Sequence, residues 1–270
     1  MNAEELLSNG QLNAAYEELK KQVQADPANS QLRIFLFQIL TVMGEWQRAL
    51  TQLNVVGDMD AGSLPMVQTY RELIRCEVYR EDVFKGKRKP LVFGEPEQWI
   101  VLLIEALAAT GSATEAKITE LRAQAFDLAP AVSGTIDEQA FSWIADADSR
   151  LGPVVEVILN GRYYWVPFSN IKKIQIEEPS DLRDMVWTAA NFMWTNEGES
   201  IGFIPTRYVK THLEDDAELK LARKTIWQQS SENEFFGKGQ RLFTTDLDDY
   251  PIMNTRDIAF NDNELLADKD

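Results

Sequence analysis

The chain of 270 residues has a single cysteine, Cys76, and a single histidine, His212. One thiol excludes an internal disulfide, and so few sulfur and imidazole groups leave no zinc-type ligand cluster. No stretch reaches the roughly 18 apolar residues that a membrane-spanning helix needs. The acidic start, residues 1–5, lacks the charged and then apolar order of a signal peptide. These absences predict a cytoplasmic protein without a membrane partner.

Positive charge is also scarce, because 27 Lys and Arg residues face 43 Asp and Glu residues and give a formal net charge of −16. Such a surface repels the phosphates of nucleic acids and anionic membranes, so we expect neither as a partner. The exception is a basic island at residues 85–89, with the sequence KGKRK. We interpret it as a solvated loop, with a docking patch for an acidic partner as the alternative.

Residue types that carry enzyme chemistry are sparse. His212 lies among Glu214, Asp215 and Asp216, which is typical of a solvated loop, with a general base as the alternative. The sequence therefore predicts no catalytic residue, no cofactor and no metal site.

What the sequence does contain is an internal repeat. Five residues align with five others when the chain is displaced by 34 positions: Gly10, Leu12, Ala15, Leu19 and Asp26 with Gly44, Trp46, Ala49, Leu53 and Asp60. This period is that of the tetratricopeptide repeat, whose unit is a pair of antiparallel helices. An ordinary helical domain with an accidental period is the alternative. A third, degenerate helical unit is predicted over residues 64–84.

Repeat units of this kind bury their apolar faces by stacking, and the stack leaves a concave surface that can hold a helix of another protein. In the repeat register, four residues of the second unit line the concave side: Gln31, Ile34, Gln38 and Thr41. We therefore predict a helical repeat domain over residues 1–130, with these four side chains as partner contacts.

The pattern changes after residue 130 to short β-branched stretches. Residues 154–159 read as a strand, Asn160-Gly161 as a type I′ turn, and residues 162–168 as the returning strand. On that strand, Tyr163 and Trp165 face one side of the sheet and Tyr164 faces the other. We interpret these aromatic residues as core residues, with exposed interface anchors as the alternative. A short helix is predicted over residues 137–147.

These patterns together predict an α+β fold. A tetratricopeptide-like helical stack is followed, over residues 131–260, by a strand-rich domain of five to eight strands, barrel-like or built on a mixed sheet. Residues 261–270 form an acidic tail.

Charged residues cluster near the junction of the two halves. Asp146, Asp148 and Arg150 are expected to form an ion-pair corner that fixes this junction. A pocket that gathers Asp146 and Asp148 with Arg162 and Tyr164 would instead favour an enzyme in the strand-rich domain.

Five short motifs follow one another in the second half: ADADSRLGP (145–153), NGRYYWVPF (160–168), DLRD (181–184), IPTRY (204–208) and GQR (239–241). With the preceding repeats, this ordered set resembles the ImpE/SciE/TagJ family of type VI secretion accessory proteins over nearly the whole chain. The resemblance implies a cytoplasmic, non-enzymatic adaptor that binds the sheath small subunit, since characterised relatives bind that subunit and have been linked to the ATPase that disassembles the sheath. It assigns no contact residue. A self-assembling scaffold and an enzyme are the alternatives.

Overall fold

The computed structural model describes residues 1–261, and its amino-terminal part is a stack of helices. Of the predicted acidic tail, residues 262–270 lie outside the described residues. Seven helices precede the strand-rich part: α1 (Ala3–Ser8), α2 (Leu12–Ala25), α3 (Ser30–Val42), α4 (Trp46–Met59), α5 (Leu64–Phe84), α6 (Gln98–Ala108) and α7 (Glu115–Leu128).

The turns of the first two helix pairs confirm the repeat. Gly10 and Gly44 both adopt left-handed backbone angles, with φ of 72° and 75°. In each turn the glycine amide donates to the carbonyl three residues earlier, and the next amide donates to the carbonyl five residues earlier. This is the Schellman arrangement that ends a helix, and it occurs twice at a spacing of 34 residues. The small and apolar repeat positions Ala15, Leu19 and Leu53 are fully buried.

The third unit, predicted as degenerate, is a single uninterrupted helix, because Val78 stands where a turn glycine would end the first helix. Helix α5 runs from Leu64 to Phe84, with Pro65 in its first turn, where a missing amide costs nothing. Helices α6 and α7 then form another pair joined by a short turn.

The described residues also contain fourteen strands and a short helix, α8 (Ala217–Lys220); the first strand lies between α5 and α6, and the others follow α7. The strands are β1 (Leu91–Val92), β2 (Gly134–Ile136), β3 (Gln139–Phe141), β4 (Ile144–Asp146), β5 (Val154–Leu159), β6 (Arg162–Pro167), β7 (Ile171–Ile176), β8 (Trp187–Trp194), β9 (Glu199–Pro205), β10 (Thr225–Ser231), β11 (Glu234–Gly239), β12 (Leu242–Thr245), β13 (Asp249–Pro251) and β14 (Asp257–Phe260).

Nine of these strands form one open sheet in the order β1-β6-β5-β9-β8-β7-β14-β2-β3. Strand β1 is parallel to β6, whereas β5 and β6 are antiparallel, so the sheet is mixed. Of the two predicted architectures, the mixed sheet is correct and the barrel is not. The predicted number of strands was too low, because strands of two to four residues leave little trace of alternation in a sequence.

The helix predicted over residues 137–147 is wrong. Asp137 and Glu138 have positive φ angles of 44° and 71° and form the turn between β2 and β3. Strand β4 then pairs with β12, a stretch about 100 residues away. Pairing across such a separation outweighs the local helical preference.

The predicted hairpin is confirmed. Asn160 and Gly161 both have positive φ, 48° and 69°, as a type I′ turn requires, and Leu159 pairs with Arg162. The sheet that contains this hairpin separates two apolar cores. Val154 and Ile158 of β5 pack with the helices, whereas Val155 and Val157 pack on the other side. Among residues 1–261, no helix is long and apolar enough to cross a membrane.

Candidate partner-binding site and the junction that covers it

The four residues predicted to line the concave side lie in two different environments. Gln31 is exposed and Ile34 is half-buried, at the amino-terminal half of α3. Gln38 and Thr41, on the following turns, are 8% and 0% exposed. The strand-rich half reaches this end of α3, where Arg207 donates to the carbonyls of Thr41 and Val42. The side chains of Gln38 and Thr41 are buried and are not an open surface.

The three aromatic residues predicted as partner contacts also lie in different environments. Tyr163 and Trp165 are buried between the sheet and the helices, where the indole N–H of Trp165 donates to the Tyr163 hydroxyl over 2.8 Å. Both are core residues, and the interpretation as exposed anchors is wrong for them. Tyr164 faces the opposite side of the sheet, as the strand alternation predicted, and is half-buried beside Phe93.

Two arginines of the strand-rich half cap the carboxyl ends of the first helices of the two repeats, α1 and α3. Each guanidinium donates to the last carbonyls of a helix, which lack intrahelical donors and carry partial negative charge. The acceptors are Leu7 and Ser8 for Arg223 (2.9 and 3.3 Å), and Thr41 and Val42 for Arg207 (3.4 and 2.8 Å). The acceptors are 34 residues apart, so both repeats are held in one orientation by the same device.

The turn glycines of the two repeats lie directly under side chains of the strand-rich half. A Cβ atom at Gly10 would overlap the carboxylate of Glu218, and one at Gly44 would overlap the ring of His212. That ring also packs edge-on against Trp46, with centroids 5.5 Å apart. Both glycines are therefore required for close approach as well as for their backbone angles.

His212 is mostly buried, with 11% of its side chain exposed, and does not occupy the solvated loop that its charged neighbours suggested. Its Nε2 atom lies 3.5 Å from Oε1 of Glu81. Burial lowers the pKa of His212 to about 4, although Glu81 acts in the opposite direction. The imidazole is therefore neutral at physiological pH and serves in the packing of the junction.

A network of buried charges centres on Glu156, the one acidic residue of β5. Its carboxylate accepts from Nε of Arg80 over 2.6 Å and from Nη2 of Arg80 over 2.9 Å. Arg241 and the hydroxyl of Tyr163 also donate to it. Burial opposes ionisation of Glu156, but the two arginines outweigh it and lower its pKa to about 2.

The network continues from Arg80 to Glu77, over 3.3 Å, and Glu77 also accepts from the indole of Trp187 over 3.2 Å. At its other end, Arg241 pairs with Asp146. Burial raises the pKa of Asp146 to about 7, while Arg241 lowers it. These groups are satisfied by one another, which is the condition for keeping charges in a core.

The predicted ion-pair corner is confirmed in part. Nε of Arg150 donates to Asp148 over 2.7 Å, and Asp148 also accepts from the amide of Gly237 over 2.8 Å. Asp146, in contrast, pairs with Arg241. The corner joins the junction to β11.

Similarity to known proteins runs along the whole chain. Residues 138–259 match the ImpE protein family, and residues 6–73 match a tetratricopeptide repeat family. The chain is 48% identical, over 260 residues, to the type VI secretion system accessory component TagJ of Pseudomonas aeruginosa. That alignment covers 96% of this chain and 91% of the relative. The chain belongs to the ImpE family. A crystal structure of a Vibrio parahaemolyticus protein, 26% identical, superimposes with a TM-score of 0.88 and covers 96% of this chain and 97% of the other.

In this ImpE-family chain, the four residues of the predicted enzyme pocket are not brought together. Asp146 and Asp148 are buried with arginine partners, whereas Arg162 is exposed and Tyr164 packs on Phe93. Within residues 1–261, no group of three His, Cys, Asp or Glu side chains could hold a metal ion.

The basic island is partly neutralised by the helix that precedes it. Lys85 pairs with Glu81 over 3.0 Å, and Arg88 pairs with Asp82 over 3.7 Å. The guanidinium of Arg88 also lies over the ring of Tyr79. These contacts fit the interpretation of a loop, and a role in docking stays a prediction.

Sequence reasoning missed the arginines that hold the junction. Arg207 and Arg241 lie in the motifs IPTRY and GQR, which carry the family resemblance but assign no role to single residues. Arg80 lies in a helix with other charged residues. A usable signal was Glu156, since a lone carboxylate in the apolar run at residues 154–159 requires a buried cation.

Proposed function

We propose that this protein is a non-enzymatic accessory component of a bacterial type VI secretion system that binds another protein of the machine. The partner in this proposal is a helix of the sheath small subunit, in the cytoplasm, and the bound protein links the sheath to its disassembly ATPase. The observation that carries the proposal is the 48% identity to an accessory component across 96% of the chain.

The helical stack supports a role in protein binding. Tetratricopeptide units present their first helices to partners, and an amphipathic helix is bound through its apolar stripe. Since Gln38 and Thr41 are buried, the accessible part of α3 is its first half, with Gln31 and Ile34. We place the partner helix there.

The test is isothermal titration of the full chain with purified sheath small subunit. We expect binding by the wild-type protein and a loss of affinity of about tenfold or more in Gln31→Asp and Ile34→Asp, because each places a charge against an apolar helix. Ile201→Asp is the control for a charge added at an exposed site, since Ile201 is 72% exposed and lies in a surface groove of the main sheet beside Lys173 and Gln175.

Circular dichroism establishes that each variant is folded before its affinity is compared. A wild-type chain that does not bind the sheath small subunit would contradict the identity of the partner. Equal affinities in the wild type and both α3 variants would contradict the location of the site.

A further inference from the structure

An apolar groove of about 300 Å³ opens between the carboxyl end of α7 and strand β4. Two aromatic side chains that line it are partly exposed, Phe126 at 38% and Trp143 at 39%. Small uncharged residues also line it: Ala129, Pro130, Ala131 and Pro153. Among the described lining residues the one charged group is Asp146, which is buried and paired with Arg241. Apolar surface gathered in one concave place is typical of a binding site.

Strand β14 ends beside this groove. It pairs antiparallel with β2, and the amide of Asn261 then donates to the carbonyl of Ser133 over 3.0 Å, so the pairing continues past the end of the strand. In an antiparallel pair one chain advances as the other recedes, so β14 is directed along residues 132–130. Two of these residues, Pro130 and Ala131, line the groove.

The neighbour of β14 on its other side leads to the same place. Strand β7 pairs with β14, with Lys173 opposite Ala259, and begins at Ile171. Just before β7, the backbone amide of Phe168 donates to the carbonyl of Pro153 over 3.2 Å. Since Pro153 also lines the groove, both chains that flank the end of β14 connect it with the groove.

The segment that follows β14 has a sequence that matches an apolar groove. Residues 262–270 read DNELLADKD, in which Leu265 and Leu266 are adjacent and flanked by polar and acidic residues. The first leucine is four positions beyond Asn261, a span of up to about 13 Å for an extended chain. The lining of the groove comes within two residues of Ser133, the hydrogen-bond partner of Asn261, so it lies within this reach.

This segment fits the groove better than a separate charged partner does. A short tether gives it an effective concentration in the millimolar range, so that two leucine side chains suffice for binding. Because the charged group in the described lining is already paired, the groove offers no counter-ion to a charged partner. It accepts apolar side chains and leaves the flanking acidic groups in solvent.

We propose that residues 262–270 bind in this groove of the same chain, with Leu265 and Leu266 against Phe126 and Trp143. The apolar surface at the carboxyl end of α7 is then covered by the chain itself. It becomes available to another protein only when the segment is displaced. This proposal does not depend on the type VI secretion role.

Hydroxyl-radical footprinting of the full chain, read by mass spectrometry at Phe126 and Trp143, tests the proposal. The double variant Leu265→Asp/Leu266→Asp places two charges against an apolar lining and should release the segment. We expect oxidation of both aromatic side chains to rise about threefold, since a segment at millimolar effective concentration is bound most of the time in the wild type. Deletion of residues 262–270 should have the same effect.

A matched control separates the leucines from the added charge. The double variant Asn263→Asp/Lys269→Gln changes the net charge by the same two units in the same segment and keeps both leucines. We expect oxidation at Phe126 and Trp143 to remain at the wild-type level. Circular dichroism establishes that every variant is folded before the rates are compared.

The segment should also act as a separate peptide. A synthetic peptide of residues 262–270, at about 1 mM, should restore protection to the chain that lacks these residues. The peptide with aspartate in place of both leucines should not. Ala131→Asp, in the groove, should prevent the restoration, whereas Ile201→Asp, at an exposed site of the main sheet, should permit it.

Equal oxidation in the wild type and in the leucine variant would overturn the proposal, since the groove would then be open in the full chain. Protection that increases with protein concentration would also overturn it, because it would assign the groove to the segment of a second copy. A control as strongly oxidised as the leucine variant would exclude the leucines as the bound groups.

Discussion

The two tetratricopeptide units have the same local structure, but different side chains of the strand-rich half pack against them. In the first, the cap is Arg223, whose side chain is 37% exposed, and the turn glycine faces the flexible carboxylate of Glu218. In the second, the cap is Arg207, which is only 5% exposed, and the turn glycine faces the ring of His212.

The same arginine cap can therefore contribute unequally to the free energy of unfolding at two equivalent positions. An exposed cation at a helix end competes with water, which solvates the carbonyls when the cation is removed. A buried cation has no such substitute, because the carbonyl of Val42 would be left without a donor, although the carbonyl of Thr41 would keep the amide of Gly44.

Replacement of each capping arginine should give the largest difference in stability between the two repeats. Arg207 also donates to the carbonyl of Lys220, so Arg207→Met orphans acceptors on two elements. We expect the free energy of unfolding to fall by about 4 kcal/mol. Arg223→Met should lower it by about 0.5 kcal/mol. Urea denaturation followed by circular dichroism measures both, and equal losses would contradict the comparison.

Alanine at the turn glycines should give the next largest difference. Both substitutions force a left-handed alanine, which costs about 1 kcal/mol. At Gly44 the new Cβ also meets the packed ring of His212, and overpacking adds about 2 kcal/mol. At Gly10 the Glu218 side chain can turn aside. Thermal denaturation should therefore show a clearly larger decrease in Tm for Gly44→Ala; a larger decrease for Gly10→Ala would reverse the interpretation.

The smallest expected effect is a change of stability with pH that depends on His212. Its pKa is lowered by burial to about 4 in the folded protein, below its ordinary value near 6.5. The unfolded chain therefore binds the proton first, and stability that is complete above pH 6.5 is lost as the pH falls towards 4.

We expect this loss to be on the order of 2 kcal/mol. The raised pKa of Asp146 gives an opposite slope over pH 4–7, because the folded protein binds that proton first. The measurement is therefore the difference between the urea profiles of the wild type and His212→Gln, in which the Asp146 contribution cancels. Parallel profiles between pH 4 and 6.5 would exclude His212 as the source.

Where a structure follows from neighbouring residues, the sequence predicted it well. The turns at Gly10 and Gly44, the uninterrupted α5 and the hairpin at residues 160–161 were all anticipated, because each depends on backbone preferences and periodicity within a few residues. The alternation of Tyr163, Tyr164 and Trp165 was correct for the same reason.

The candidate site was predicted less well. Gln38 and Thr41 were predicted as open partner contacts and are buried, because repeat periodicity contains no information about what packs against a helix. The acceptor Thr41 and its donor Arg207 are 166 residues apart. His212 was misplaced because its neighbours in the sequence are charged, whereas its neighbours in space are Gly44 and Trp46.

The order of amino acids by itself determined the two repeat units, their 34-residue spacing, the change from helices to strands and the acidic character of the chain. Only the tertiary structure decided that the strand-rich half covers the end of α3, that Glu156 is ionised between two arginines, and that β14 ends beside an apolar groove. The physical reason is that periodicity and turn preferences act over a few residues, whereas burial and ion pairing depend on groups that only the complete fold brings together.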